Sequence, residues 1–99
     1  MSTTPKSWDV TTYTVDTWTS VVAETADVTT VTLCNTSLID DITVRVRRGT
    51  AEIAGTEIIP AGRSVRLTTG TKLVTAALPL QFSASAAGLH VSADGLVAP

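Results

Sequence analysis

No stretch of this chain repeats apolar residues at the three- and four-residue spacing that a helix face requires; instead they alternate singly with polar ones. Ile42-Thr43-Val44-Arg45-Val46-Arg47 is the clearest run. Three aliphatics fall on one side of an extended segment, and Thr43, Arg45 and Arg47 fall on the other. Leu80-Gln81-Phe82-Ser83-Ala84-Ser85-Ala86 and Leu89-His90-Val91-Ser92-Ala93 repeat the pattern. A slip of one residue in such a strand would turn its whole apolar set to water, so each run specifies its buried face. Composition points the same way. The chain holds 19 Thr, 12 Val and 5 Ile, side chains that are stiff at χ1 and pack well on a pleated surface.

Turn residues punctuate these runs. Val28 to Leu33 and Ala51 to Ile59 supply further strands, and Ile59-Pro60-Ala61-Gly62 ends the second of them. Thr69-Gly70, between Arg63–Leu67 and Lys72–Val74, predicts a hairpin, and Ala87-Gly88 predicts another. Asp94-Gly95 predicts a turn into a last strand at Leu96-Val97. The expected fold is all-β: an antiparallel β-sandwich or small barrel of about seven or eight short strands. Its expected core is Ile42, Val44, Val46, Val65, Leu67, Leu80, Phe82, Leu89 and Val91.

The first 27 residues differ from the rest. Residues 3–36 contain 12 of the 19 Thr, and Trp8, Tyr13 and Trp18 leave only Phe82 as an aromatic for the remaining chain. Two readings follow. Residues 1–27 are either leading strands whose rings cap one end of a sandwich formed by residues 28–99, or an extended arm that docks on another subunit. Trp8, Tyr13 and Trp18 are the candidate contact residues under the second reading.

Charge and reactive residues narrow the function classes. A net charge of −2 argues against a dedicated nucleic-acid binder. The charge is segregated: Asp9, Asp16, Glu24 and Asp27 outnumber Lys6 at the front, and arginines dominate the middle. Arg45 and Arg47 share an outward face and Arg66 projects from another strand, with no aromatic interleaved as single-strand binders require. The plainest reading is a solvated strand face whose charges deter edge-to-edge aggregation. Among specific partners an acidic protein suits these arginines better than nucleic acid, because arginine pairs bidentately with carboxylates. Cys34 and His90 are the only residues of their kinds, too few for a zinc site and with no nucleophile motif around them. Asp40 and Asp41 precede a strand and read as turn residues rather than an acid–base pair. No glycine-rich phosphate loop is present, so no catalytic residue, cofactor or metal is expected. A lone cysteine forms no intrachain disulfide, and the first residues lack a basic stretch followed by an apolar core, so no signal peptide is expected. No apolar run approaches the roughly 20 residues of a spanning helix.

Four segments carry a family resemblance. Val31-Thr32-Leu33-Cys34-Asn35-Thr36-Ser37, Ile42 to Val46, Ile59-Pro60-Ala61-Gly62 and Leu80 to Gly88 together resemble small β-sandwich virion proteins of tailed bacteriophages. The resemblance covers residues 28–97. One departure is Ala77-Leu78-Pro79, where that group often has a Gly-Asp turn. The resemblance implies a non-enzymatic virion protein, made in the host cytoplasm, that decorates and stabilises a capsid lattice. It implies a homo-oligomer, with a trimer favoured, bound to a major capsid protein or another virion structural protein, with no nucleic acid or membrane as partner. The alternative is a small tail or head–tail component, including an adhesive, carbohydrate-binding module at a tail tip. Trp8, Tyr13, Trp18, Arg45, Arg47 and Arg66 are the expected partner-binding residues.

Overall fold

The computed structural model describes residues 4–97, and for 54–55 and 68–73 the backbone alone. Eight strands run in chain order: β1 (Thr4–Val10), β2 (Thr19–Val22), β3 (Ala26–Asn35), β4 (Ile42–Arg48), β5 (Ala51–Ile59), β6 (Ser64–Val74), β7 (Leu80–Ala84) and β8 (Leu89–Val97). They form two four-stranded antiparallel sheets, ordered β1-β8-β3-β6 and β2-β7-β4-β5. The fold is an antiparallel β-sandwich. First pairs with last, second with seventh, third with sixth and fourth with fifth, which is the strand order of a jelly roll.

That order corrects three expected turns. Only the β4–β5 connection joins neighbours in one sheet, through Gly49 at φ 60°. Ala87-Gly88 makes a sheet-to-sheet crossing instead of a hairpin, because β7 pairs with β2 and β4 while β8 pairs with β1 and β3. Gly88 takes a positive φ of 101° at this crossing, a conformation open to glycine. Thr69-Gly70 makes no turn: both flanks pair with β3, and the strand absorbs the extra residues as a bulge opposite Val28–Thr30. Asp94-Gly95 also runs straight through β8. Its glycine serves close packing, since a Cβ there would overlap the Asp27 carbonyl oxygen and lie 3.0 Å from the Val28 Cα.

The alternation seen in sequence becomes the core. Ile42, Val44, Val46, Leu80, Phe82, Leu89 and Val91 are all buried, joined by Val22, Val28, Val31, Leu33, Ile59 and Val74. Val65 and Leu67 pack against this cluster but are only partly buried. Burying branched aliphatics on two facing sheets is the main stabilising term, at roughly 25 cal/mol for each Å² removed from water. Residues 11–18, 36–41, 60–63 and 85–88 gather at one end of the sandwich, tied by Thr36 N–H to the Gly88 carbonyl (2.9 Å) and Gly62 N–H to the Ser37 carbonyl (2.8 Å).

Candidate functional site

The residues singled out in sequence separate into three settings. Trp8 lies on β1 opposite Ala93, its ring packed on the core and its indole N–H buried without an acceptor. Lys6 covers it, with Nζ 5.4 Å from a ring centroid and 3.1 Å from Glu24. Tyr13 belongs to the interior as well. Its ring meets Phe82 edge-on at 5.1 Å, its hydroxyl donates to the Ala86 carbonyl (2.5 Å), and the Leu89 N–H donates to it (3.0 Å). Burial raises the Tyr13 pKa above its usual value of 10.0, with the Leu89 hydrogen bond acting in the opposite direction. Residues 4–10 and 19–22 thus form the opening strand of each sheet.

Trp18, Arg45 and Arg47 come together on the outer face of the β2-β7-β4-β5 sheet. The alternation of β4 turns Thr43, Arg45 and Arg47 outward, and Trp18 enters β2 on the same side. The Arg47 guanidinium lies 4.0 Å from the indole centroid and that of Arg45 lies 5.2 Å away, both within cation–π range. Each arginine is held from its far side. Arg45 pairs with Glu52 of β5, and Arg47 Nε donates to Gln81 of β7 (2.9 Å). Gln81 in turn donates to Ser20 of β2 (3.2 Å). One polar network therefore crosses all four strands of the sheet.

Beside it lies a groove of about 240 Å³ lined by Asp16, Trp18, Thr43, Arg45, Ser83, Ala84 and Ser85. Asp16 sits at φ 57°, a left-handed conformation uncommon outside glycine, fixed by its N–H donating to the Ala84 carbonyl (2.8 Å). Ser85 Oγ accepts the Thr43 N–H (2.9 Å), which joins the groove floor to β4.

Arg66 is exposed on the other sheet, opposite Thr32 of β3, and takes no part in this arrangement. Cys34 and His90 are cross-strand neighbours there, and no hydrogen bond joins them. Asp41 accepts the Ala61 N–H (3.1 Å), so it latches a turn. Among the described residues no three His, Cys, Asp or Glu side chains gather to hold a metal ion, and no helix is long and apolar enough to cross a membrane.

Sequence reasoning missed the loop between β3 and β4. Leu38 and Ile39 are each 87% exposed, the most exposed large apolar residues described. The loop beneath them is rigidly built around Asn35, a buried polar residue. Its Nδ2 donates to the carbonyls of Asp40 (2.8 Å) and Ile59 (3.0 Å), and its Oδ1 accepts the Ser37 N–H (2.9 Å). Ser37 Oγ accepts the N–H groups of Ile39 (3.2 Å) and Asp40 (3.0 Å). The available signal was two adjacent aliphatics inside Asn-Thr-Ser-Leu-Ile-Asp-Asp, a turn-forming stretch too polar to bury both.

Comparison with family models, with curated proteins and with solved structures returned no match for this chain.

Proposed function

We propose that this protein is a non-enzymatic structural component of a phage virion, a homo-oligomeric decoration protein that docks on a capsid lattice through its loop end. The observation that carries the reading is the Leu38–Ile39 pair. Two neighbouring aliphatics on a loop locked by a buried asparagine form a pre-organised apolar anchor, which loses little ordering entropy when it enters a partner's pocket. Asp40 and Asp41 directly follow the anchor and favour a pocket with a basic rim. The jelly roll adds support by analogy alone, since capsid and lectin domains both use it and fold does not dictate function. The sequence resemblance to phage virion proteins supplies the class of partner.

The test is quantitative mass spectrometry of purified particles. On the order of hundreds of copies per particle is the expected result, and about three to a dozen would place the protein at the tail or portal axis instead. Its absence from particles would sink the reading. The double substitution Leu38→Ser and Ile39→Ser should abolish incorporation while leaving the melting temperature of the isolated protein unchanged, because both side chains already face water.

A further inference from the structure

The groove beside Trp18 is built differently from the loop anchor. Its lining is mostly polar, and three of its residues are held in place by contacts within the protein. Asp16 is held by its backbone bond to Ala84, Arg45 by Glu52, and Trp18 by the two guanidinium groups over its ring. Among the described residues the Asp16 carboxylate makes no hydrogen bond or ion pair, and neither does the hydroxyl of Ser83.

Charge decides what such a groove accepts. A cationic ligand would be repelled by Arg45, and the indole already has two guanidinium groups within cation–π range. An anionic ligand would meet Asp16, and the Arg45 charge that could attract it is already paired with Glu52. An apolar ligand would strip water from a carboxylate and several hydroxyls without replacing those hydrogen bonds, which is costly. A neutral, hydroxyl-rich ligand satisfies every constraint. Its hydroxyl groups donate to the Asp16 carboxylate and exchange hydrogen bonds with Thr43 and Ser83, while its C–H groups pack against the half-buried indole. The volume admits one sugar ring and is below that of sites for drug-sized molecules.

We infer that the groove formed by Asp16, Trp18, Thr43, Arg45 and Ser83 is a binding site for a neutral saccharide, taking one ring of a glycan. The site uses none of the loop-anchor residues, so it stands or falls independently of lattice docking. A ligand of roughly a dozen heavy atoms binds such a small open site at about millimolar affinity, and oligomeric display raises the effective avidity.

The experiment titrates the isolated protein with glucose, galactose, mannose, rhamnose and N-acetylglucosamine, followed by two-dimensional amide and indole NMR. N-acetylneuraminic acid and choline serve as anionic and cationic controls. At least one neutral sugar should shift the Trp18 indole and the Asp16 and Ser83 amide signals saturably, with the Trp8 indole unmoved. The Asp16→Gly variant keeps the left-handed backbone while removing the carboxylate, and should weaken that binding at least about tenfold. The inference is overturned if no neutral sugar shifts these signals, if either charged control binds more tightly, or if Asp16→Gly binds as well as the parent.

Discussion

The two sheets bury their inner faces alike, yet their outer faces have little in common. On the β1-β8-β3-β6 sheet the outward positions of β3 and β8 include Thr30, Thr32, Cys34, His90, Ser92 and Asp94. Contacts there are short, such as Ser7 Oγ donating to Asp94 (2.5 Å). On the β2-β7-β4-β5 sheet, Ser20, Gln81, Arg47, Trp18, Arg45 and Glu52 link one strand to the next without a break. Side-chain length accounts for the contrast. Strands lie about 4.8 Å apart, a gap that Arg, Gln and Trp span readily and that Thr and Ser bridge only locally. Threonine thus supplies strand propensity and a soluble cover, whereas a defined recognition surface needs long planar groups held at both ends. The two tryptophans express the same division, Trp8 turned into its sheet's core and Trp18 turned out.

The largest expected effect lies in the first sheet. Gly95→Ala places a methyl group against the Asp27 carbonyl and Val28 Cα, backbone atoms that cannot move aside without parting β3 from β8. A loss of about 3 kcal/mol or more is expected in urea denaturation, a large share of the stability of a domain this size. An unchanged midpoint would show that the β3–β8 contact is looser than this packing requires. Trp8→Ala comes next, at about 2–3 kcal/mol, because a half-buried ring leaves a cavity over the core. Sugar titration and particle incorporation should be unaffected. A binding defect at unchanged stability would reverse the contrast between the two tryptophans.

Much of this division was legible in the sequence, and the illegible part has a physical cause. Period-two alternation in Ile42–Arg47 and Leu80–Ala86 identified both the buried aliphatics and the outward arginines, since side-chain direction in a strand is a local property. Partner strands are not local. Ala87-Gly88 carries the same turn chemistry whether the chain folds back beside itself or crosses to the facing sheet, so β7 and β8 looked like a hairpin. Gly70 and Gly95 looked like turns for a related reason: glycine also marks bulges and close backbone approach. Trp18 met Arg45 and Arg47 only through the β2-β7-β4 order, which no spacing in the chain encodes. Arg66 shares their outward parity but belongs to the opposite sheet.

A smaller effect tests the seam between the sheets. Tyr13 bonds the crossing from β7 to β8 at both Ala86 and Leu89, so Tyr13→Phe should cost about 1–2 kcal/mol. It should also change the alkaline limb of stability. With its folded pKa raised above the unfolded 10.0, the phenol loses its proton more readily in the unfolded chain. Its contribution is therefore complete below pH 10 and is lost as pH rises toward the folded pKa. Denaturation midpoints measured across that range should fall less steeply in the Phe variant, and an identical slope would place the phenol in a wetter setting.

The smallest effect concerns the cation that sequence grouped with Trp18. Arg66 is exposed opposite Thr32, and no hydrogen bond or ion pair engages it among the described residues. Arg66→Ala should change stability by no more than about 0.5 kcal/mol and leave both sugar titration and particle incorporation at parental levels. Arg47→Ala removes a guanidinium 4.0 Å from the Trp18 ring and frees Gln81, so it should disturb the Trp18 indole signal even where stability changes little. The pair isolates the variable that separates the two outer faces. If Arg66→Ala perturbs incorporation as strongly as the loop-anchor substitutions do, the hydroxyl-rich face also meets the partner, and the functional contrast between the sheets fails even though their side chains differ.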